Sequence, residues 1–257
     1  MDVDGEDIKP QNCDIELKNV EFSYERRPII NGVSLKIPAG QTLAIVGPSG
    51  GGKTTLTRLI ARFWDVDGGE ITLGGKNIKD YSIDSLMRNF SFVFQNVYLF
   101  KDTIENNIKF SNPNASHEEV VAAARKACCH DFIEALPDGY NTVIGEGGAT
   151  LSGGEKQRIS IARAIMKDSP VIILDEATAN VDPENEKDLT EAIESLTKNK
   201  TIIMIAHRLK TVRNADNIIV VADGKIAEQG NHDKLMSMNG IYKRFVNSRE
   251  LAVSWKL

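Results

Sequence analysis

The stretch "GPSGGGKTT" runs from Gly47 through Pro48, Ser49, Gly50, Gly51 and Gly52 to Lys53, Thr54 and Thr55, and it fits G-x-x-x-x-G-K-[ST]. It follows the apolar run "TLAIVG" and precedes a helical pattern. In that setting glycines let successive backbone N–H groups curl around a phosphate, and the helix N-terminus adds partial positive charge. Lys53 is then placed to reach the β- and γ-phosphates of a nucleotide, and the Thr54 hydroxyl to ligate Mg²⁺. An ordinary glycine-rich turn has no need of Lys-Thr directly after such a run of glycines.

A second set of reactive groups closes "VIILDE", residues 171–176. A strand this apolar is buried, and the C-terminal ends of buried strands face the ligand crevice of an open α/β sheet. Asp175 would orient Mg²⁺, and Glu176, one residue further, would polarise a water attacking the γ-phosphate. Alone, an apolar strand ending in Asp-Glu is usually a strand meeting solvent; beside a P-loop it reads as the catalytic edge.

The third stretch is "LSGGEKQR", residues 151–158. One reading is a capping box, with Ser152 at the N-cap and Glu155 three residues on, like the plainer "SHEE" from Ser116 to Glu119. The intervening residues separate the two cases. Gly153 and Gly154 each cost roughly 1 kcal/mol relative to Ala inside a helix, which suggests that something approaches this backbone closely. A free Ser152 hydroxyl and bare amides at a helix start make an anion site. Because one P-loop already encloses a phosphate from its own side, this second loop is expected to close a nucleotide from another face.

These groups need an α/β framework. "TLAIVG" (42–47), "VIILD" (171–175) and "TIIMIA" (201–206) read as buried parallel strands, whereas "DIELKNVEFSY", "VSLKI" and "GEITLGGKNI" alternate as antiparallel strands near the N-terminus. Helical periodicity dominates from about 96 to 168, which reads as an inserted helical subdomain. The tail alternates again around Asp223 and Gly224 and ends in short helices. The expected fold class is an α/β P-loop NTPase core with an N-terminal antiparallel β-subdomain and an inserted α-helical subdomain. Residues 1–13 read as a linker or an edge left by excision, 14–248 as the catalytic domain and 249–257 as a tail.

Composition narrows the partners. The 257 residues carry a net charge of −5 with 26 % charged and 41 % hydrophobic residues, which suits a globular unit and disfavours nucleic acid. Cys13, Cys128 and Cys129 match neither a disulfide framework nor a metal pattern, so they read as small apolar fillers in a reducing compartment. The acidic start is neither a signal nor a transit peptide, and no apolar run approaches the ~18 residues that cross a bilayer. A membrane role therefore requires a partner.

Taken together, these motifs resemble the nucleotide-binding domain of an ATP-binding cassette (ABC) transporter from about Asp14 to Val246, in the family's order, and "LSGGEKQR" resembles its signature motif. The resemblance implies ATP and Mg²⁺ as cofactors, and a head-to-tail pair with an identical or related cassette. In that pair Ser152, Gly153, Gly154 and Glu155 bind the partner's ATP. Tyr24 matches the aromatic that stacks on adenine, where stacking contributes ~1–3 kcal/mol. Gln95, in "FVFQN", matches the glutamine that senses Mg²⁺ and the γ-phosphate; with Thr54 and Asp175 it completes the implied metal set. Glu146, in "IGEGG", matches a contact to the transmembrane partner, and "ANVD", ending in Asp182, the loop crossing the dimer axis. His207 matches the switch histidine on the γ-phosphate, and with Glu176 it is the implied catalytic pair. His117, His130 and His232 match nothing catalytic.

The segment "QNVYLFKDTIENNIKF" resembles exporter-type cassettes, whose transmembrane domain is usually fused upstream; that places the domain on the cytoplasmic face of a membrane. Two departures stand out: Glu155 replaces the commoner Gln, and Glu146-Gly147-Gly148 replaces Glu-Arg-Gly. Two rival classes remain. A soluble cassette ATPase acting on DNA or ribosomes would carry a coiled-coil insertion or a second cassette, and neither is present in this sequence. A small-molecule kinase would leave the second glycine-rich helix start unexplained.

Overall fold

The computed structural model describes residues 5–145, 151–175, 186–205 and 209–254. In chain order its elements are β1 (Ile15–Tyr24), β2 (Arg27–Ile37), β3 (Thr42–Val46), α1 (Lys53–Ile60), β4 (Gly68–Leu73), β5 (Lys76–Asn77) and α2 (Ile83–Met87). There follow β6 (Phe90–Val93), β7 (Asp102–Thr103), α3 (Ile104–Ile108), α4 (His117–Lys126), α5 (His130–Glu134), β8 (Val143–Ile144), α6 (Gly153–Lys167), β9 (Val171–Asp175) and α7 (Glu186–Thr197). The chain closes with β10 (Thr201–Ile205), α8 (Leu209–Arg213), β11 (Asn217–Ala222), β12 (Lys225–Gly230), α9 (His232–Ser237) and α10 (Ile241–Ser254). They form two compact units, residues 1–90 with 200–257, and residues 91–199. No helix among the described residues is long and apolar enough to cross a membrane.

The first unit holds an antiparallel sheet in the order β2-β1-β4-β5. Strict alternation along β1 would bury every second residue, and it does so at Ile15 and Leu17; Asn19 then takes a left-handed φ of 47° and the register shifts before Val20. The bulge resets the pattern so that Val20, Phe22 and Tyr24 share a face. Gly74 and Gly75, both at positive φ, make the tight turn between β4 and β5. Ahead of β1 the chain is pinned down: Glu6 N–H donates to Asp80 O at 2.8 Å, and Ser82 N–H donates to Glu6 O at 2.7 Å.

The second sheet of this unit places β12, β11, β3 and β10 side by side in that order. β3 lies between two parallel neighbours, with Ile45 opposite Ile205 and Val46 opposite Val220. Leu43 to Val46 are all buried, which is why they read as a continuous apolar run rather than an alternating one. The expected hairpin around Asp223 is present as β11–β12, and its first strand extends the parallel core. At the tail, Glu228 of β12 accepts the N–H of Tyr242 at 3.0 Å, so its carboxylate caps α10.

In the second unit, α6 is the central rod and packs against α3, α4 and α7. The periodic run "SHEEVVAAARKACCHDFIEAL" forms two helices, α4 and α5, because Cys128 takes a left-handed φ of 52° between them. β7 and β8 pair as a short ribbon within this helical region. β9 lies beside β6, with Val171 to Leu174 buried and Asp175 half-exposed at the strand's end.

Candidate functional site

The P-loop leaves β3 through Gly47 and enters α1 at Lys53, with positive φ at Gly47 (141°), Gly50 (76°) and Gly52 (106°). Three crowding contacts explain part of the glycine demand without any ligand. A Cβ on Gly47 would lie 2.1 Å from Val221 O and one on Gly51 2.6 Å from the same carbonyl, while one on Gly52 would press on Ile30 Cδ1 at 2.9 Å. Around Gly50 nothing lies within 4 Å, so there the glycine serves conformation alone. The exposed Pro48, Ser49 and Gly50 form the rim.

Helix α1 then begins with its positive end open. Its N-cap is Gly52 in the left-handed conformation, with no side-chain cap hydrogen bond and no acidic residue in the first turn. The first-turn amides have no acceptor within the helix. Lys53 Nζ donates to Gly47 O at 3.0 Å and to Pro48 O at 2.8 Å, which folds the ammonium over the loop. Thr54 and Thr55 follow, half-buried in the first turn. A loop of this shape collects N–H groups, an ammonium and two hydroxyls where a polyphosphate would lie.

Tyr24 ends β1 in an aromatic cluster. Its ring meets Phe22 edge-on at 4.9 Å and Trp64 edge-on at 5.7 Å. Trp64, which sequence reasoning passed over, is 47 % exposed beside it. Their shared flank is apolar and open, as a stacking platform for a base requires.

At α6 the capping box is complete: Glu155 N–H donates to Ser152 Oγ at 3.3 Å and Ser152 N–H donates to Glu155 Oε2 at 2.7 Å. The Ser152 hydroxyl, expected to be free, is thus already an acceptor within its own helix; what remains to it is a donated proton. The box occupies the amides of Ser152 and Glu155 and leaves those of Gly153 and Gly154, the two residues without side chains. In α4 the box has the same dimensions, 3.3 and 2.7 Å between Ser116 and Glu119. There Glu118 fills the gap: its carboxylate is held below its ordinary value by its own backbone N–H and by the Ser116 hydroxyl. Gln95, two residues beyond β6, is exposed, and Asp175 closes β9. Glu146, Glu176, Asp182 and His207 lie outside the described residues.

Comparison with known proteins decides the family. The model of the "ABC transporter" family matches residues 30–179, from β2 through the P-loop and signature stretch to beyond β9. The chain belongs to the ABC transporter family. As an ABC nucleotide-binding domain it is 49 % identical over 240 residues to an ATP-dependent lipid A-core flippase of Desulfotalea psychrophila, covering 93 % of this chain and 42 % of that protein. It is 48 % identical over 239 residues to the flippase of the same name from Haemophilus influenzae, covering 92 % of this chain and 41 % of that one. Among solved structures, a bacterial Atm1-family ABC exporter with ATP bound superposes with a TM-score of 0.88 at 41 % identity, over 94 % of this chain and 42 % of that one. The cassette therefore spans about two fifths of the length of these relatives.

The histidines outside the motifs have partners within the protein. His117 Nδ1 lies 2.8 Å from Glu105, His130 Nδ1 2.8 Å from the Tyr140 hydroxyl and His232 Nδ1 2.7 Å from the Tyr242 hydroxyl. Burial pushes the Cys129 thiol up to about 12, as befits an apolar filler rather than a nucleophile. Sequence reasoning named Gly224 as part of the β11–β12 turn but not what it touches. Its N–H donates to Gly51 O at 3.2 Å and its carbonyl accepts from Asn31 N–H at 2.9 Å, which ties the P-loop to the β-subdomain. The only signal was an Asp-Gly pair, and that specifies a turn without naming what the turn touches.

Proposed function

We propose that this ABC cassette is a Mg²⁺-dependent ATPase that works as a head-to-tail pair and powers an exporter-type transmembrane domain. That domain is fused upstream in the natural polypeptide, which places the cassette on the cytoplasmic face of a membrane. The observation that carries the reading is the open, uncapped start of α1 with Lys53 folded over the P-loop. The match along 93 % of the chain to lipid A-core flippases supports the exporter assignment.

In this reading the adenine stacks on Tyr24, with Trp64 beside it, and the phosphates lie on the amides from Ser49 to Thr55. Thr54, Gln95 and Asp175 offer a hydroxyl, an amide oxygen and a carboxylate, the hard oxygen donors that Mg²⁺ takes. Bound there, the ion would offset charge on the β- and γ-phosphates. Ser152, Gly153, Gly154 and Glu155 of one cassette complete the partner's site, and Asp182 lines the dimer axis. Glu176 accepts a proton from the attacking water as the bond from the γ-phosphorus to the leaving oxygen breaks, and His207 stabilises the γ-phosphate charge. Gln95, the segment to Phe100 and Glu146 pass closure to the transmembrane domain.

The test is the mass of the Glu176→Gln variant by light scattering after size exclusion, with and without ATP and Mg²⁺. A monomer that becomes a dimer with ATP supports paired composite sites. A monomer under saturating ATP, or near-normal turnover of the variant, removes the paired-site reading or the role of Glu176 respectively.

A further inference from the structure

Unit two carries an exposed aromatic surface whose support is unusually well specified. Tyr98, Phe100 and Phe110 are 51 %, 37 % and 57 % exposed. Phe100 stacks on Phe110 at 4.6 Å with planes 17° apart, and Tyr98 meets Phe100 edge-on at 5.2 Å. Beneath them lies Arg163, with its guanidinium carbon 5.5 Å from the Phe100 ring centre and 5.8 Å from that of Phe110. The guanidinium also donates three hydrogen bonds into this segment: Nε to Asn107 O at 2.9 Å, Nη1 to Tyr98 O at 3.1 Å and Nη2 to Asn107 Oδ1 at 3.0 Å.

Asn107 completes the clamp. It is buried in α3, and its amide donates to Phe100 O and Thr103 O, each at 3.0 Å, while its Oδ1 accepts from Phe100 N–H at 2.9 Å and from Arg163. Two donated and two accepted bonds are the full capacity of a side-chain amide. The backbone around Phe100 is thereby fixed to Asn107, and Asn107 to Arg163. Arg163 lies on α6, the helix that begins at Ser152. Arg163 lies eleven positions beyond Ser152, roughly 16 Å along a rod rising about 1.5 Å per residue.

We propose that Arg163 is the positioning residue that fastens the aromatic segment 98–110 to the signature helix, so that displacement of α6 on closure over a nucleotide carries Tyr98, Phe100 and Phe110 with it. The inference rests on the function proposed above, and adds to it the part that joins the signature to the segment facing the membrane domain. Lysine could not substitute: an ammonium has neither the planar fork that reaches three acceptors nor the flat face that lies under two rings.

Hydrogen exchange on the full 257-residue chain tests this with ATP and Mg²⁺ as the probe. Without nucleotide, Arg163→Gln should speed exchange in 98–110 by about tenfold or more while the amides of β3 and β11 keep wild-type rates. Arg163→Lys should reproduce most of that increase. Unchanged exchange in 98–110, or faster exchange throughout the second unit, overturns the positioning role. In the Glu176→Gln background, ATP should then alter protection at both 151–156 and 98–110; adding Arg163→Gln should abolish the second response and leave the first. A 98–110 response that survives Arg163→Gln overturns the linkage. If ATP alters neither segment with Arg163 intact, the closure model itself has failed, and the nucleotide-free arm still decides what Arg163 holds.

Discussion

Helix α1 starts at Gly52 in a left-handed conformation with no side-chain cap and no acid in its first turn, whereas α6 starts at Ser152 with both halves of a capping box closed. The first end is open to an anion: it lacks a side-chain cap, and the Lys53 ammonium lies over the loop that a phosphate would share. The second end is already stable alone and withholds only two amides, those of Gly153 and Gly154. In the proposed function the first design suits the site that binds a nucleotide within one cassette. A site that must bind and release a partner's nucleotide suits the second, because its helix does not fray when the ligand leaves. Helix α4 provides an internal control, with the same box but Glu118 where α6 has glycine.

The largest separation between the two ends should come from Ser152→Arg set against Lys53→Ala. Ser152→Arg should reduce ATP turnover to background and leave ATP affinity of the monomer within about twofold. Lys53→Ala removes a charge-assisted contact of roughly 1.5–3 kcal/mol and should weaken monomer affinity by about ten- to a hundredfold. Isothermal titration with parallel phosphate release checks both; a large affinity loss in Ser152→Arg would collapse the distinction between the two ends.

A smaller effect sharpens the meaning of the signature glycines. Gly153→Ala should stabilise the fold by a few tenths to about 1 kcal/mol, since alanine is the better helix residue, while turnover falls by roughly tenfold because, in the proposed pairing, a methyl would stand in the path of the partner's phosphate. Denaturant unfolding and steady-state hydrolysis provide the two readings, and higher stability with full activity would reduce "LSGGEKQR" to a plain helix cap. The smallest effect compares the two boxes directly. Ser152→Ala and Ser116→Ala should each cost about 1 kcal/mol of stability through loss of a cap, yet only Ser152→Ala should slow turnover.

Much of this was legible along the chain because its signals are local. The P-loop, the buried runs that became β3, β9 and β10, and both capping boxes each depend on residues within eight positions of one another. The glycines of the P-loop were legible as glycines but not for their full reason: Gly47 and Gly51 also make room for Val221 O, from a strand more than 160 positions away. Trp64 beside Tyr24 and Arg163 beneath Phe100 and Phe110 were equally hidden, because a lone aromatic or a lone arginine in a helical run carries no periodic signal. The free hydroxyl expected at Ser152 failed for a local reason, since the box that Glu155 completes uses it as an acceptor.

The sequence by itself determined which groups can do chemistry: the glycine and lysine pattern, the terminal carboxylates of an apolar strand, and a second glycine-rich helix start, each fixed by short-range geometry of the backbone. Only the tertiary structure decided what presses on them. It placed β11 in parallel beside β3, laid the Gly224 turn on Gly51, and set Arg163 under an aromatic surface held by Asn107. Such pairings form because burying apolar strands and satisfying buried amides are collective demands, met by whichever distant segment fits, and no local pattern records the choice.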